Sequence, residues 1–316
     1  MKTSTVPAAA VAASILAWCA PHASAISFSI DASSASSIPS GGLFSADDIL
    51  NDPTPVTAVP GAGYEVNAIS YGHVLPLGPL TYFFSVSRGS VGLPGSAVAQ
   101  EALSGDQAAD IYVSTGAGTN FQFRDGNGAI ANPLTPGAPS PPLGLLEPTT
   151  LPGDNVDGLD LRVIGPMVYW SVDAATALVY GAGYTAADIF MAPAVPGYSA
   201  APGVPYASAA TLGLQAGDDI DAMVYFEDGI AGASPGDLIL FSLAQGSPTL
   251  GLGFTAADIL STSPGAAAPV LHLSALQLGL LPGDDELDAL DVIPEPASWL
   301  MLGTALFGCS LWRRRR

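Results

Sequence analysis

Apolar and polar positions alternate along this chain only in short bursts. Runs of five or six residues, such as Ser27 to Asp31 (SFSID), Val168 to Asp173 (VYWSVD) and Leu238 to Leu243 (LILFSL), are rich in β-branched and aromatic residues, as strands are. Clusters such as Gly61-Ala62-Gly63 and Pro136-Gly137-Ala138-Pro139 lie between them and cannot continue a helix. No stretch of the body keeps a 3.6-residue period over a dozen positions. The TAADI segments beginning at Thr185 and Thr255 could each seed one helical turn, with the threonine as N-cap. The pattern predicts an all-β body.

The bursts recur in a fixed order. An aromatic-Ser-aliphatic triplet appears as Phe28-Ser29-Ile30, Phe84-Ser85-Val86, Trp170-Ser171-Val172 and Phe241-Ser242-Leu243. An Asp-Ile step follows at Asp48, Asp110, Asp188 and Asp258. Each unit closes on Val66-Asn67-Ala68-Ile69, Val156-Asp157-Gly158-Leu159, Ile220-Asp221-Ala222-Met223 or Leu287-Asp288-Ala289-Leu290. Three of these closures are preceded by Leu-Gly-Leu, at Leu143, Leu212 and Leu278. The result is an internally repeated body of about four units. Taking each recurring segment as a strand gives four strands per unit, which suits a β-propeller, with paired β-sandwiches as the rival. Residues 114–150 break the pattern with added Gly and Pro and are expected to form an elaborated surface loop.

Charge narrows the function. Of 28 acidic residues only Glu295 lies outside residues 26–293, leaving 27 carboxylates against Arg88, Arg124 and Arg162, a net charge of −24 for the body. Such a surface repels nucleic acid, whose binding needs Lys and Arg to displace counterions, and attracts divalent cations. The two cysteines, Cys19 and Cys309, lie outside the body, so it has neither disulfides nor thiolate metal sites.

The ends carry addresses. Residues 1–25 read as a signal peptide: Lys2, an apolar run from Val6 to Cys19, and Ala23-Ser24-Ala25 as the cleavage pattern. Trp18 is too bulky for the position before a lipidated cysteine, which sets aside a lipoprotein reading of Cys19. At the other end, Pro294-Glu295-Pro296 precedes sixteen uncharged residues, Ala297 to Trp312, and then Arg313, Arg314, Arg315 and Arg316. The apolar run is a short transmembrane helix, and the arginines hold its end on the cytoplasmic side. This tail, residues 294–316, resembles the PEP-CTERM sorting signal of exported bacterial proteins. The resemblance implies recognition by an exosortase-type membrane protease, transient residence in the inner membrane, removal of the tail, and delivery to the cell surface or extracellular matrix.

Candidate chemistry gathers in the acidic turns before the closing segments. These are Asp154, Asn155 and Asp157; Asp218, Asp219 and Asp221; and Asp285, Glu286 and Asp288. Oxygen-only donors on tight turns are what calcium takes, although the EF-hand pattern is absent. The competing reading makes these side chains acceptors in Asx-turns. The first unit has Glu65 and Asn67 in the same place, a poorer ligand set. The recurrent Asp48, Asp110, Asp188 and Asp258 are expected to fix turns. The body's two histidines, His73 and His272, accompany no nucleophile elbow and no paired-His zinc motif. The expectation is a non-enzymatic exported protein that binds exopolysaccharide, divalent cations or both. The alternative is a secreted polysaccharide hydrolase, which would need only two carboxylates.

Overall fold

The computed structural model describes residues 25–35, 48–51, 55–58, 65–72, 81–114, 120–127, 143–145, 153–162, 167–180, 183–193 and 205–293. The predicted signal peptide, the tail predicted to carry a membrane helix, and His73 lie outside them, apart from Ala25. Among the described residues no helix is long and apolar enough to cross a membrane. Residues 26–293 make one unit by their contacts.

The fold is mostly β: among the described residues fifteen strands, β1 to β15, form four small antiparallel sheets with a few short helices. The first sheet runs β15 (Leu287–Ile293), β1 (Ala25–Ile30), β2 (Asp48–Asn51), β3 (Pro55–Ala58), so the last strand pairs with the first. The second runs β4 (Val66–Ser70), β5 (Tyr82–Val86), β6 (Ile111–Ser114), β7 (Asn120–Arg124). The third has three strands, β8 (Val156–Arg162), β9 (Met167–Val172) and β10 (Phe190–Pro193), with one further bridge between Ile189 and Ala207. The fourth runs β11 (Ile220–Phe226), β12 (Leu238–Leu243), β13 (Ile259–Thr262), β14 (Val270–Leu273).

The aromatic-Ser-aliphatic triplet explains how the sheets pack. It falls on β1, β5, β9 and β12, each of which pairs with a strand carrying a closing segment. Side chains alternate across a strand, so the aromatic and the aliphatic share one face and the serine takes the other. Phe28 and Ile30 enter a core with Leu240 and Ile259 of the fourth sheet. Trp170 and Val172 pack with Phe83 and Ile111 of the second sheet. Phe241 and Leu243 pack with Tyr169 of the third, and Phe84 and Val86 with Ala289 of the first.

On the opposite face each serine donates across to the next sheet. Ser29 Oγ bonds the Val66 carbonyl at 2.8 Å and Ser85 the Val156 carbonyl at 2.8 Å. Ser171 bonds Ile220 and Ser242 bonds Leu287, each at 3.0 Å. All four serines are fully buried, where a hydroxyl without a partner would cost about 1–3 kcal/mol. The contacts of β4, β8, β11 and β15 also run in a cycle: β4 packs on β8, β8 on β11, β11 on β15, and β15 on β4.

Three expectations change. Leu-Gly-Leu is a turn rather than a strand: Gly144, Gly213 and Gly279 have φ of 82°, 71° and 78°, a left-handed backbone that breaks a ladder. At Gly213 a Cβ would meet the Ala266 carbonyl oxygen at 2.7 Å. Residues 114–150 are not all loop, because Asn120–Arg124 pairs with β6. The TAADI segments form no helix, since Asp188 and Asp258 tie them as turns. Their carboxylates accept the Thr185 and Thr255 amides at 2.8 and 2.7 Å and reach onward to Ala209 and Ala275. Asp110 similarly accepts from Gly126 N at 2.9 Å. The side chain of Asp48 lies outside the described residues.

Candidate cation site

Strands β4, β8, β11 and β15 each begin with a fully buried aliphatic residue, Val66, Val156, Ile220 or Leu287, followed by Asn67, Asp157, Asp221 or Asp288. In the three with described register, pairing slips at that second residue, from Val66 to Ala68, Val156 to Leu159 and Ile220 to Ala222. A bulge takes a residue out of the ladder and re-aims its side chain. In β8 the slip includes Gly158, where a Cβ would stand 2.5 Å from Ser171 Oγ and 2.9 Å from Met223 Cγ. The small residues Ala68, Gly158, Ala222 and Ala289 that follow let these strands approach closely.

The polar residues at the slip are more than nine-tenths buried and act on one another. Asn67 Nδ2 donates to Asp157 Oδ1 at 2.7 Å and to the Val156 carbonyl at 3.0 Å. Asn155 Nδ2 also donates to Asp157 Oδ1. Asp221 and Asp288 are served less well. Neither Asp221 Oδ2 nor Asp288 Oδ2 has a hydrogen-bond partner among the described residues. Burial pushes the Asp157, Asp221 and Asp288 carboxyls well above the usual range, and surrounding carboxylates push them further. Such a cluster is relieved by protons or by a cation.

A second tier lies two residues earlier, at Glu65, Asn155, Asp219 and Glu286. Three of these side chains accept an amide from the turn or helix that follows a strand of a neighbouring sheet. Ala32 N donates to Glu65 Oε1 at 2.7 Å, Ala174 N to Asp219 Oδ2 at 3.1 Å, and Gln245 N to Glu286 Oε1. Burial pushes Asp219 up to about 7, with the Ala174 amide opposing, Asp173 and Glu286 adding to the rise and Arg88 drawing it back. Burial raises Glu286 as well. At the remaining corner Arg88 forks onto Asp173 and donates to the Gly153 carbonyl and, at 3.1 Å, to Thr176 Oγ1.

Among the described residues one group has metal-ligand spacing: carboxylate oxygens of Asp31, Glu65 and Asp288 all lie within 4.8 Å of one another. Two oxygens on opposite sides of a calcium ion stand about 4.6–5.2 Å apart, given bonds of about 2.3–2.6 Å. The donor set is purely oxygen, as hard cations require.

The acidic turns of the sequence therefore divide. Asp157, Asp221 and Asp288 converge, with Asp219 and Glu286 beside them and Asn155 bonded to Asp157. In two of the turns the first acid is taken up by protein donors. Asp218 Oδ1 accepts from Thr249 N at 2.8 Å, while its Oδ2 accepts from Gln215 N at 2.6 Å and Thr249 Oγ1 at 2.5 Å. Asp285 Oδ2 accepts from Leu281 N at 2.7 Å. Asp154 is buried beside Gly153 at the foot of β8. Sequence reasoning missed Asp31 and undervalued Glu65 and Asn67. A signal was present: Asp31 follows Phe28-Ser29-Ile30 as Asp173 follows Trp170-Ser171-Val172, and Glu65 precedes Val66 as Glu286 precedes Leu287. Trp170 is core, stacked on Phe190, and His272 is exposed on β14.

Residues 292–316 match the model of the PEP-CTERM protein-sorting motif. The chain ends in a PEP-CTERM motif. That motif implies an exported protein, sorted at the membrane and processed by an exosortase. It begins at Val292, inside β15, so address and fold meet on one strand. No curated protein and no solved structure matches the chain.

Proposed function

We propose that this PEP-CTERM protein is a non-enzymatic component of the cell surface or extracellular matrix. Its acidic strand ends take divalent cations and bridge them to anionic exopolysaccharide. The observation that carries this reading is the buried oxygen on each of Asp221 and Asp288 that has no hydrogen-bond partner among the described residues, set among carboxylates, while Arg88 is forked onto Asp173. In the same reading the four sheets are the blades of a four-bladed propeller closed by the pairing of β15 with β1. The cyclic packing of the four first strands and the four serine bonds favour it over paired sandwiches, in which each sheet would face one partner. Half-buried Asp31 and Glu65 leave one side of a bound ion open to polymer oxygens.

Co-sedimentation of the purified chain with a polyuronate tests the role. Binding in millimolar calcium that is lost in EGTA is expected. Binding indifferent to EGTA, or none, overturns it. For sorting, deletion of Pro294 to Pro296 should leave the protein in the membrane fraction, and unchanged release would overturn exosortase processing.

A further inference from the structure

Three acidic residues meet from distant parts of the body, two of them from its first and last strands. Asp31 directly follows β1, Asp288 is the second residue of β15, and Glu65 directly precedes β4 of the second sheet. The junction they share is already cross-tied: Asp31 N donates to the Glu286 carbonyl at 3.2 Å and Ala35 N to the Asp284 carbonyl at 3.0 Å. Glu286 N donates to Ser34 Oγ at 3.0 Å, and Ala32 N reaches Glu65. Yet the carboxylates themselves sit against one another, and the charges that weigh most on Asp288 are all acidic: Asp31, Glu65, Glu286 and Asp157.

Two independent observations point to a ligand. The first is the three-oxygen cluster with its 4.8 Å limit. The second is Asp288 itself, 4 % exposed with Oδ2 lacking any hydrogen-bond partner among the described residues. A buried carboxylate oxygen left so is expensive unless something cationic meets it. Magnesium, with bonds of about 2.0–2.1 Å, would need the oxygens drawn closer than calcium does.

We propose that Asp31, Glu65 and Asp288 hold one calcium ion, and that this ion clasps the first strand of the body to its last and both to the second sheet. The clasp rests on the cation reading above and adds to it a ligand set and a structural purpose. Three carboxylates supply three to six of the six to eight oxygens calcium takes; water or polymer fills the rest. Because the ligands come from β1, β15 and the edge of β4, binding would stabilise the ring where it is closed rather than uniformly.

The test uses the full chain in detergent, stripped of metal, with calcium chloride titrated by calorimetry and amide hydrogen exchange followed with and without the ion. One equivalent of calcium should bind and slow exchange most in residues 26–31 and 287–292, with little change on β14. Glu65→Gln and Asp31→Asn, which keep an acceptor for the Ala32 and Ser33 amides, should weaken binding about tenfold or more while leaving metal-free melting near wild type. Wild-type affinity in both variants together with loss in Asp221→Asn would move the ion elsewhere among the acidic residues: the cation reading would stand and the clasp would fall. No calcium binding by the wild type would remove both.

Discussion

At the scale of single residues, the buried serines are the most informative side chains in this protein. Each hydroxyl caps the carbonyl of a strand in the next sheet, and Ser171 does more, since the Gly158 amide donates to it at 2.8 Å. Ser171→Ala should therefore cost about 1–3 kcal/mol in denaturant unfolding, because it leaves the Ile220 carbonyl and the Gly158 amide buried without partners. Gly158→Ala should be at least as damaging. Its methyl group would displace Ser171 Oγ and press on Met223, the kind of overpacking that costs about 1–3 kcal/mol. The triplet was legible as a recurring strand, and the serine's purpose was not. Period-two alternation marks which residues share a face, but it does not reveal that the opposite face also meets a sheet. The acidic positions behaved likewise. Asp218 and Asp221 look equivalent in sequence, and only a bulge, invisible to pattern, sends one toward Asp288 while the other closes its own turn.

Elements show where local chemistry overrode pattern. Leu-Gly-Leu carries two buried leucines in two of its three copies and so resembles a short strand, but a left-handed glycine between them turns the chain. Strand β7 was hidden because its flanks are rich in Gly and Pro, although Asn-Phe-Gln-Phe-Arg itself alternates. Its Asn120 Oδ1 accepts the Val98 amide at 3.2 Å and so helps seat α1 (Ala97–Glu101), whose N-cap is Ser96. Glu101, at the end of α1, is pushed up to about 7 by burial, with Asp125 and Asp106 adding repulsion; Arg124, at the end of β7, is the cation closest in sequence to Asp125. The folded chain thus holds this proton more tightly than the unfolded chain, whose carboxyl titrates near 4.5. Its stabilising effect is complete below that pH and is lost as pH rises to about 7. Melting temperature should fall across that window. Glu101→Gln should remove part of the fall, about 1–2 kcal/mol once solvent screening is allowed for. Identical pH slopes for variant and parent would show that Glu101 does not take part.

For the whole molecule, the decisive contact is the one between its ends. Strand β15 supplies one edge of the first sheet, its Leu287 carbonyl takes Ser242, and it packs on both β4 and β11. Truncation after Asp284 should abolish cooperative unfolding by circular dichroism, whereas truncation after Ile293 should leave the melting curve close to that of the full chain. Each of the four sheets carries one of the aromatic-Ser-aliphatic anchors read in the sequence. The sharing of one sheet between residues 25–58 and 287–293 was not readable there, because nothing local distinguishes the strand that pairs within its own unit from the one that returns to the start.

That late pairing sets a schedule. Until residues 287–293 have been made, β1 lacks one of its two partners, Ser242 has no carbonyl to reach, and Asp288 has not yet joined Asp31 and Glu65. Contacts this distant in sequence form slowly, and here they wait for the last stretch before the sorting tail. A secretion apparatus that threads extended polypeptide would receive a chain whose architecture postpones its own completion, and the fold would be finished only on the far side of the membrane.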